Sequence, residues 1–246
     1  MQRPEAPAGN GRKIDNRRAG AIALLTIATG LLLDAAPTMA AQCSGTPAAG
    51  IDWRDCTKKN VMMQSSNLQG ANLSNSDFTM TDFSGSNLSG ANLEKATVVR
   101  TWFEGASAEK ANFSRIEAYR SNFAKVAATS ASFAGAELQR ANFAEAVLKG
   151  VDFEKAELGR VNFDNATLAD VRFAYANLSR AVFSKARIEG KLAFEGAFIF
   201  LTRIEDTDLS GATGLEQEQI DMACGNAGTK LPQGLNAPAG WPCPSD

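Results

Sequence analysis

Small and large residues recur along this chain in a strict unit of five. Between Ser66 and Ala186 a small residue or occasionally Val opens most units, a large apolar residue stands third in most, and the other positions are mostly polar. Ala131 and Phe133, Ala136 and Leu138, Ala141 and Phe143, Ala146 and Leu148 show the pattern in four successive units. The large residues fall at Leu68, Leu73, Phe78, Phe83, Leu88, Leu93, Val98, Phe103 and onward to Ile188. A period of five matches neither the 3.6 of a helix nor the 2.0 of a strand. A short fixed period is instead the mark of a repeat architecture. It suits a square coil in which each unit makes one side and one corner, with the first and third residues inward and the other three outward.

A second spacing gives the size of the coil. Phe83, Phe103, Phe123, Phe143, Phe163 and Phe183 are twenty apart, and so are Phe113, Phe133, Phe153 and Phe173, offset by two units. Four units per coil would place these two phenylalanine stacks on opposite inner walls, filling a narrow repeating core. Leu88, Leu148, Leu168 and Ile188 would line a third wall, and Leu138, Leu158 and Leu178 a fourth. Three core positions are undersized, namely Ala108, Ala118 and Ala128. Ile116 and Val126 compensate two of them by volume, so an irregular coil is expected near Ala106 and Ala108. The phase slips by one residue between Ile188 and Phe194, which predicts a bulge at a corner. Roughly seven coils at about 4.8 Å each predict a rod about 35 Å long.

The unit resembles the motif A(D/N)Lxx of the pentapeptide-repeat family, over roughly Met63 to Ala212. The resemblance implies an all-β fold, a right-handed quadrilateral parallel β-helix with four pentapeptides per coil. Around it we expect a signal peptide over residues 1–40, an N-terminal disulfide cap over 41–62, the repeat helix over 63–212, and a C-terminal helix and disulfide clip over 213–246. The leader has a basic start (Arg12, Lys13, Arg17, Arg18), an apolar stretch from Ala19 to Leu33, and small residues at Thr38 and Ala40 before a cleavage point at Ala41. That is the layout of a secretory signal, too short for a comfortable membrane span. It predicts a periplasmic or secreted protein. A lipid on Cys43 is disfavoured by Gln42, where a small residue is wanted.

The four cysteines all lie outside the repeats. An even number in two local groups fits two disulfides in an oxidising compartment. Proximity favours Cys43 with Cys56 and Cys224 with Cys243 among three possible pairings. Zinc is the rival, opposed by the absence of histidine and of a close Cys-x-x-Cys. Solenoid ends expose raw backbone and need covers. Trp53 is in phase with the later core residues and would lie over the first coil. At the other end Thr213 to Glu216 reads as a capping box for a helix of about ten residues, stopped at Gly225. Leu215, Ile220, Met222 and Ala223 would cover the last coil.

The chain carries 25 basic and 27 acidic side chains, a net of −2, and no histidine. Removing residues 1–40, with five basic and three acidic groups, leaves −4. Neither a nucleic-acid binder nor a strong polyanion follows from this balance. Folding at twenty residues brings Arg100, Arg120, Arg140, Arg160 and Arg180 into one column. Glu117, Glu137 and Glu157 stand three residues before the middle three arginines and would neutralise them, leaving Arg100 and Arg180 the freest. Asn122, Asn142 and Asn162 would form an amide ladder on the next face. No nucleophile elbow, P-loop or dinucleotide fingerprint occurs, and without histidine the commonest general base is missing. We therefore expect no enzyme, no cofactor and no metal, but a scaffold or binding module offering the arginine ladder to a protein or an anionic envelope polymer. It is expected as a monomer or weak oligomer with no nucleic acid bound. The family resemblance supplies an alternative, since some members resemble duplex DNA and protect gyrase from quinolones. That role needs an acidic cytoplasmic rod dimerised end to end, from which this chain departs in its leader, its charge, its arginine face and its clipped C-terminal end.

Overall fold

The computed structural model describes residues 41–243, so the expected leader over residues 1–40 lies outside the described part. The units place their first and third residues inside, and the last two residues form a β-turn. The amide of each new unit closes that turn onto the carbonyl of the preceding core residue, as in Thr81 N to Phe78 O at 2.9 Å and Ala91 N to Leu88 O at 2.9 Å. The fifth residue takes a positive φ, for example 53° at Asn75, 55° at Met80, 66° at Gly85 and 54° at Arg100. β-Branched side chains are penalised there, and from Asp55 through Lys185 no Val, Ile or Thr occupies a fifth position. Glycine, Asn, Asp, Ser and long unbranched Lys and Arg take most of the corners instead, with Met80, Glu145 and Tyr175 at single ones.

Successive coils join in parallel with a register of twenty. Asp52 bridges Asn72, which bridges Asn92, then Asn112, Ser132, Asp152 and Arg172. Three equivalent ladders start at Thr57, Met62 and Asn67, so the coils up to the phase slip have four bridged sides. Most contacts are single-residue bridges because the turns leave little extended chain between corners. Among the described residues, longer pairing occurs only where β1 (Val147–Lys149), β2 (Thr167–Ala169) and β4 (Arg187–Ile188) form a parallel sheet, and where β3 (Val171–Arg172) pairs with β5 (Leu192–Ala193).

The core is the pair of phenylalanine stacks predicted above. Rings twenty residues apart lie nearly parallel, with Phe103 and Phe123 at 4.7 Å and Phe113 and Phe133 at 4.6 Å between centroids. Rings ten apart meet edge to face, as Phe123 and Phe133 do at 5.5 Å and 88°. Both geometries suit the ring quadrupole. Where the small inward residue carries a hydroxyl, the coil satisfies it: Thr101 Oγ1 donates to Phe78 O at 2.7 Å and Ser86 Oγ to Met63 O at 2.8 Å. At the outward second position, Asn or Asp accepts from the amide two residues on, as Asn112 Oδ1 does from Ser114 N at 3.0 Å. This bond explains the Asn/Asp preference of the unit, because the side chain braces the corner that follows.

The phase slip sits where expected. Thr167 pairs with Arg187, twenty on, but Val171 pairs with Leu192, twenty-one on. The extra residue is accommodated around Gly190, where an added Cβ would lie 2.8 Å from the Asp170 amide nitrogen. The irregular coil expected at Ala106 and Ala108 is not found. Its ladder is continuous, with Ser107 bridging both Asn87 and Ala127, and both alanines are buried. Backbone pairing to the coils on either side holds that side in place despite the smaller core residue.

Both ends differ from expectation. Bridging begins at Asp52 rather than near residue 63, so the second half of the expected N-terminal cap is itself coil. Trp53 is a buried core residue of that first coil and not a lid, and its ring is 6.4 Å from Phe78. Lys58 takes the next inward position and brings its ammonium 4.1 Å from the Trp53 ring centroid, with its pKa lowered by desolvation. At the other end, α1 spans Gln217–Met222, shorter than expected, with Glu216 as N-cap. Gln219 Oε1 accepts from the Glu216 amide at 2.7 Å, whereas Thr213 belongs to the ladder through Ala193. The helix is an insertion in the last coil, because Cys224 still bridges Arg203 and Lys230 bridges Asp208. Ile220 and Ala223 are buried in the core, while Leu215 packs at its edge and Met222 is only half-buried. Gly225 does not end the helix. It makes room for Trp241, whose ring would overlap a Cβ placed there.

Truncating Phe143 to alanine should remove about 3–5 kcal/mol of stability, the usual cost of a buried Phe, measured by urea unfolding. Gly190→Ala should cost about 1–3 kcal/mol, as overpacking does, and the same assay would expose a tolerant slip by an unchanged midpoint.

Candidate functional site

The arginine column occupies one corner of the coil. Arg100, Arg120, Arg140, Arg160 and Arg180 all hold the left-handed fifth position, with φ between 54° and 62°. The corner separates two sides. On one, Thr97, Glu117, Glu137, Glu157 and Asn177 form a ladder of bridges; on the other stand Trp102, Asn122, Asn142, Asn162 and Val182. The amide ladder is continuous in hydrogen bonds, since Asn142 Nδ2 donates to Asn122 Oδ1 at 3.1 Å and Asn162 Nδ2 to Asn142 Oδ1 at 3.3 Å.

The expected neutralisation is absent. Among the described residues, none of the five arginines has a carboxylate within 4.0 Å. The outer glutamates are engaged along their own ladder: Thr97 Oγ1 donates to Glu117 Oε2 at 3.3 Å and Asn177 Nδ2 to Glu157 Oε2 at 2.8 Å. Arg120 lies instead with its guanidinium 5.1 Å from the Tyr119 ring centroid. The end arginines are therefore no freer than the middle ones. Elsewhere Arg115 pairs with Glu94, Arg172 with Glu154, Arg187 with Glu189 and Arg203 with Glu205.

The column ends in a concavity. Gln139, Arg140, Gly159, Arg160, Ser179 and Arg180 line a shallow hollow, and Gly159 and Ser179 keep its floor low. Beyond it lies a larger recess of about 720 Å³, bounded by Arg160, Arg180, Val182, Leu201, Arg203 and the Cys224–Cys243 disulfide. The other disulfide, Cys43–Cys56, closes the N-terminal end with its Cα atoms 5.5 Å apart. The pairings are those that proximity favoured. Arg203 and Leu201 escape a reading at twenty residues because they follow the slip. Counting twenty-one from Val182 and Arg180 would have found both.

These features define a parallel β-helical repeat protein with a cationic corner. The chain carries pentapeptide repeats: two models, each described as pentapeptide repeats, match residues 66–101 with eight copies and residues 133–177 with nine. Among solved structures it is similar to HetL, a pentapeptide repeat protein involved in heterocyst differentiation regulation from the cyanobacterium Nostoc sp. strain PCC 7120. The identity is 19%, over 77% of this chain and 86% of that one, with a TM-score of 0.36. It is also similar to trypsin-treated QnrB1, a plasmid-mediated fluoroquinolone resistance protein, at 20% identity over 76% of this chain and 87% of that one, with a TM-score of 0.41. A pentapeptide repeat protein of the Arabidopsis thaliana thylakoid lumen matches at 18% identity over 68% and 79%, with a TM-score of 0.14. No curated protein matches.

Near this end Lys230 Nζ is 2.8 Å from Asp208 Oδ2, and with Ser210 it holds the Asp208 carboxyl down to about 2. A carboxyl so depressed favours the fold above its unfolded pKa and loses that contribution as pH falls toward 2. Carboxyl-carbon NMR should find Asp208 titrating near 2 in the parent and nearer the usual Asp range in Lys230→Met; identical curves would remove the lysine as the cause.

Proposed function

We propose that the protein is an exported, non-enzymatic binding module: a right-handed, four-sided rod that holds an anionic partner, a polymer or protein of the cell envelope, along its arginine corner. The observation that carries this reading is the unpaired state of five in-register arginines in a chain whose other arginines at Arg115, Arg172, Arg187 and Arg203 each have an acid. Two like charges at a strand spacing of about 4.8 Å repel by about 0.9 kcal/mol even in bulk water. A row of them is relieved by a partner that brings negative charges in series. Guanidinium forks suit carboxylate, sulfate and phosphate alike, and a stiff corner presents them at a fixed interval. Two disulfides support an oxidising compartment. No helix of the described residues is long and apolar enough to cross a membrane.

Heparin affinity chromatography of the oxidised protein tests the corner. The parent should be retained, and Arg100→Glu with Arg180→Glu should elute at markedly lower salt with a shallower dependence of affinity on salt, as fewer counterions are released. Equal retention of parent and double variant would remove the corner as the binding surface.

A further inference from the structure

We propose that the recess at the C-terminal end of the arginine corner is a separate site for a small amphiphilic anion, a ligand with one carboxylate or phosphate head and an apolar chain or ring. Three changes in the ladders converge on this one place. The arginine column gives way to Leu201, the asparagine column gives way to Val182, and the next two rungs beyond Val182 are Arg203 and Cys224. Apolar groups thus stand among guanidiniums. Arg160 and Arg180 bring two charges with no carboxylate within 4.0 Å among the described residues, while Arg203 is held by Glu205 at 2.9 Å. That pair cancels in charge, so the lining keeps an excess of positive charge.

The volume, about 720 Å³, lies in the range of small-molecule sites. An inorganic anion would satisfy the guanidiniums but leave Leu201, Val182 and the disulfide in water. A ligand with an apolar part covers both, which is why the chemistry points to an amphiphile. One wall is the disulfide itself. Cys243 reaches Cys224 from nineteen residues on. It is also steadied by Trp241, whose Nε1 donates to Ala223 O at 2.7 Å and whose ring lies against Gly225. The wall therefore depends on oxidation, whereas the coil behind it rests on its own ladder and core.

The test is titration of the ¹⁵N-labelled, oxidised protein with octyl phosphate, octanoate, octanol and inorganic phosphate, each below any micelle concentration. Octyl phosphate or octanoate should saturate shifts at Val182, Leu201, Cys224 and Cys243, and a preference between them names the head group. Inorganic phosphate and octanol should each bind about tenfold more weakly or worse, for loss of one half of the recognition. Arg180→Gln with Arg203→Gln should weaken the amphiphile by about tenfold or more, and Cys224→Ser with Cys243→Ser should weaken it too. Arg115→Gln, remote from the recess, should not. Circular dichroism would verify that each variant keeps the fold. Absence of saturable shifts in the parent, or undiminished affinity in the folded arginine variant, would overturn the site. The outcome is independent of the polymer reading, because heparin retention through Arg100 neither requires nor produces an octyl phosphate site.

Discussion

Everything in this molecule hangs on the register between one coil and the next. A parallel bridge from residue n to n + 20 is possible only if four corners close each coil in twenty residues, and each corner needs a residue that accepts positive φ. That single backbone requirement keeps β-branched side chains out of the corners and favours glycine, small polar residues and long cations. The arginine column is one consequence. Arginine is tolerated at a left-handed corner, and the register then aligns any recurrence of it into a row. Alignment therefore follows from the fold; the lack of acid partners does not, and that is the feature calling for a function.

The same register organises the interior. Because inward residues repeat on four walls, a phenylalanine on one wall stacks on its equivalent in the next coil and meets the opposite wall edge to face. Packing and backbone pairing thus reinforce each other, and a weak wall, such as that with Ala108 and Ala128, is held by its ladder. Hydroxyls at first positions are tolerated because each corner offers a carbonyl to Thr101 or Ser86. The single slip at Gly190 is absorbed locally: three ladders cross it, at Val171 to Leu192, Asn177 to Phe198 and Val182 to Arg203, and the core residues resume at Phe194. Its lasting effect is on the outside, where Leu201 takes the corner after Arg180 and Arg203 falls beside Val182.

Much of this is legible from residue spacing. The twenty-residue phenylalanine series yields the coil, the walls and the arginine column, and the slipped core residues Phe194, Ile199 and Ile204 mark the place of the extra residue. What spacing does not supply is the conformation of side chains on either side of a corner. Glu137 and Arg140 are close in sequence, yet the glutamates lie on a side and the arginines at the edge, where each set finds different neighbours. The ends are also hard to read. Lys58 and Thr57 do not look like a repeat unit, so spacing alone makes the first coil a cap; and a helix inserted in the last coil hides the return of Cys224 and Lys230 to the ladder. Motif reading loses sight of a coil where composition changes, although backbone pairing continues.

The unpaired arginine corner is the claim on which the functional account stands, and side-chain ¹⁵N NMR of the guanidinium groups tests it most directly. Free guanidiniums rotate quickly and average their terminal nitrogens, whereas an ion pair hinders that rotation. The account predicts averaged signals for Arg120, Arg140 and Arg160, unaffected by Glu137→Gln, alongside a hindered Arg203 gripped by Glu205. A hindered Arg140 released by Glu137→Gln would contradict it, and would return the arginine row to the status of a self-compensated surface.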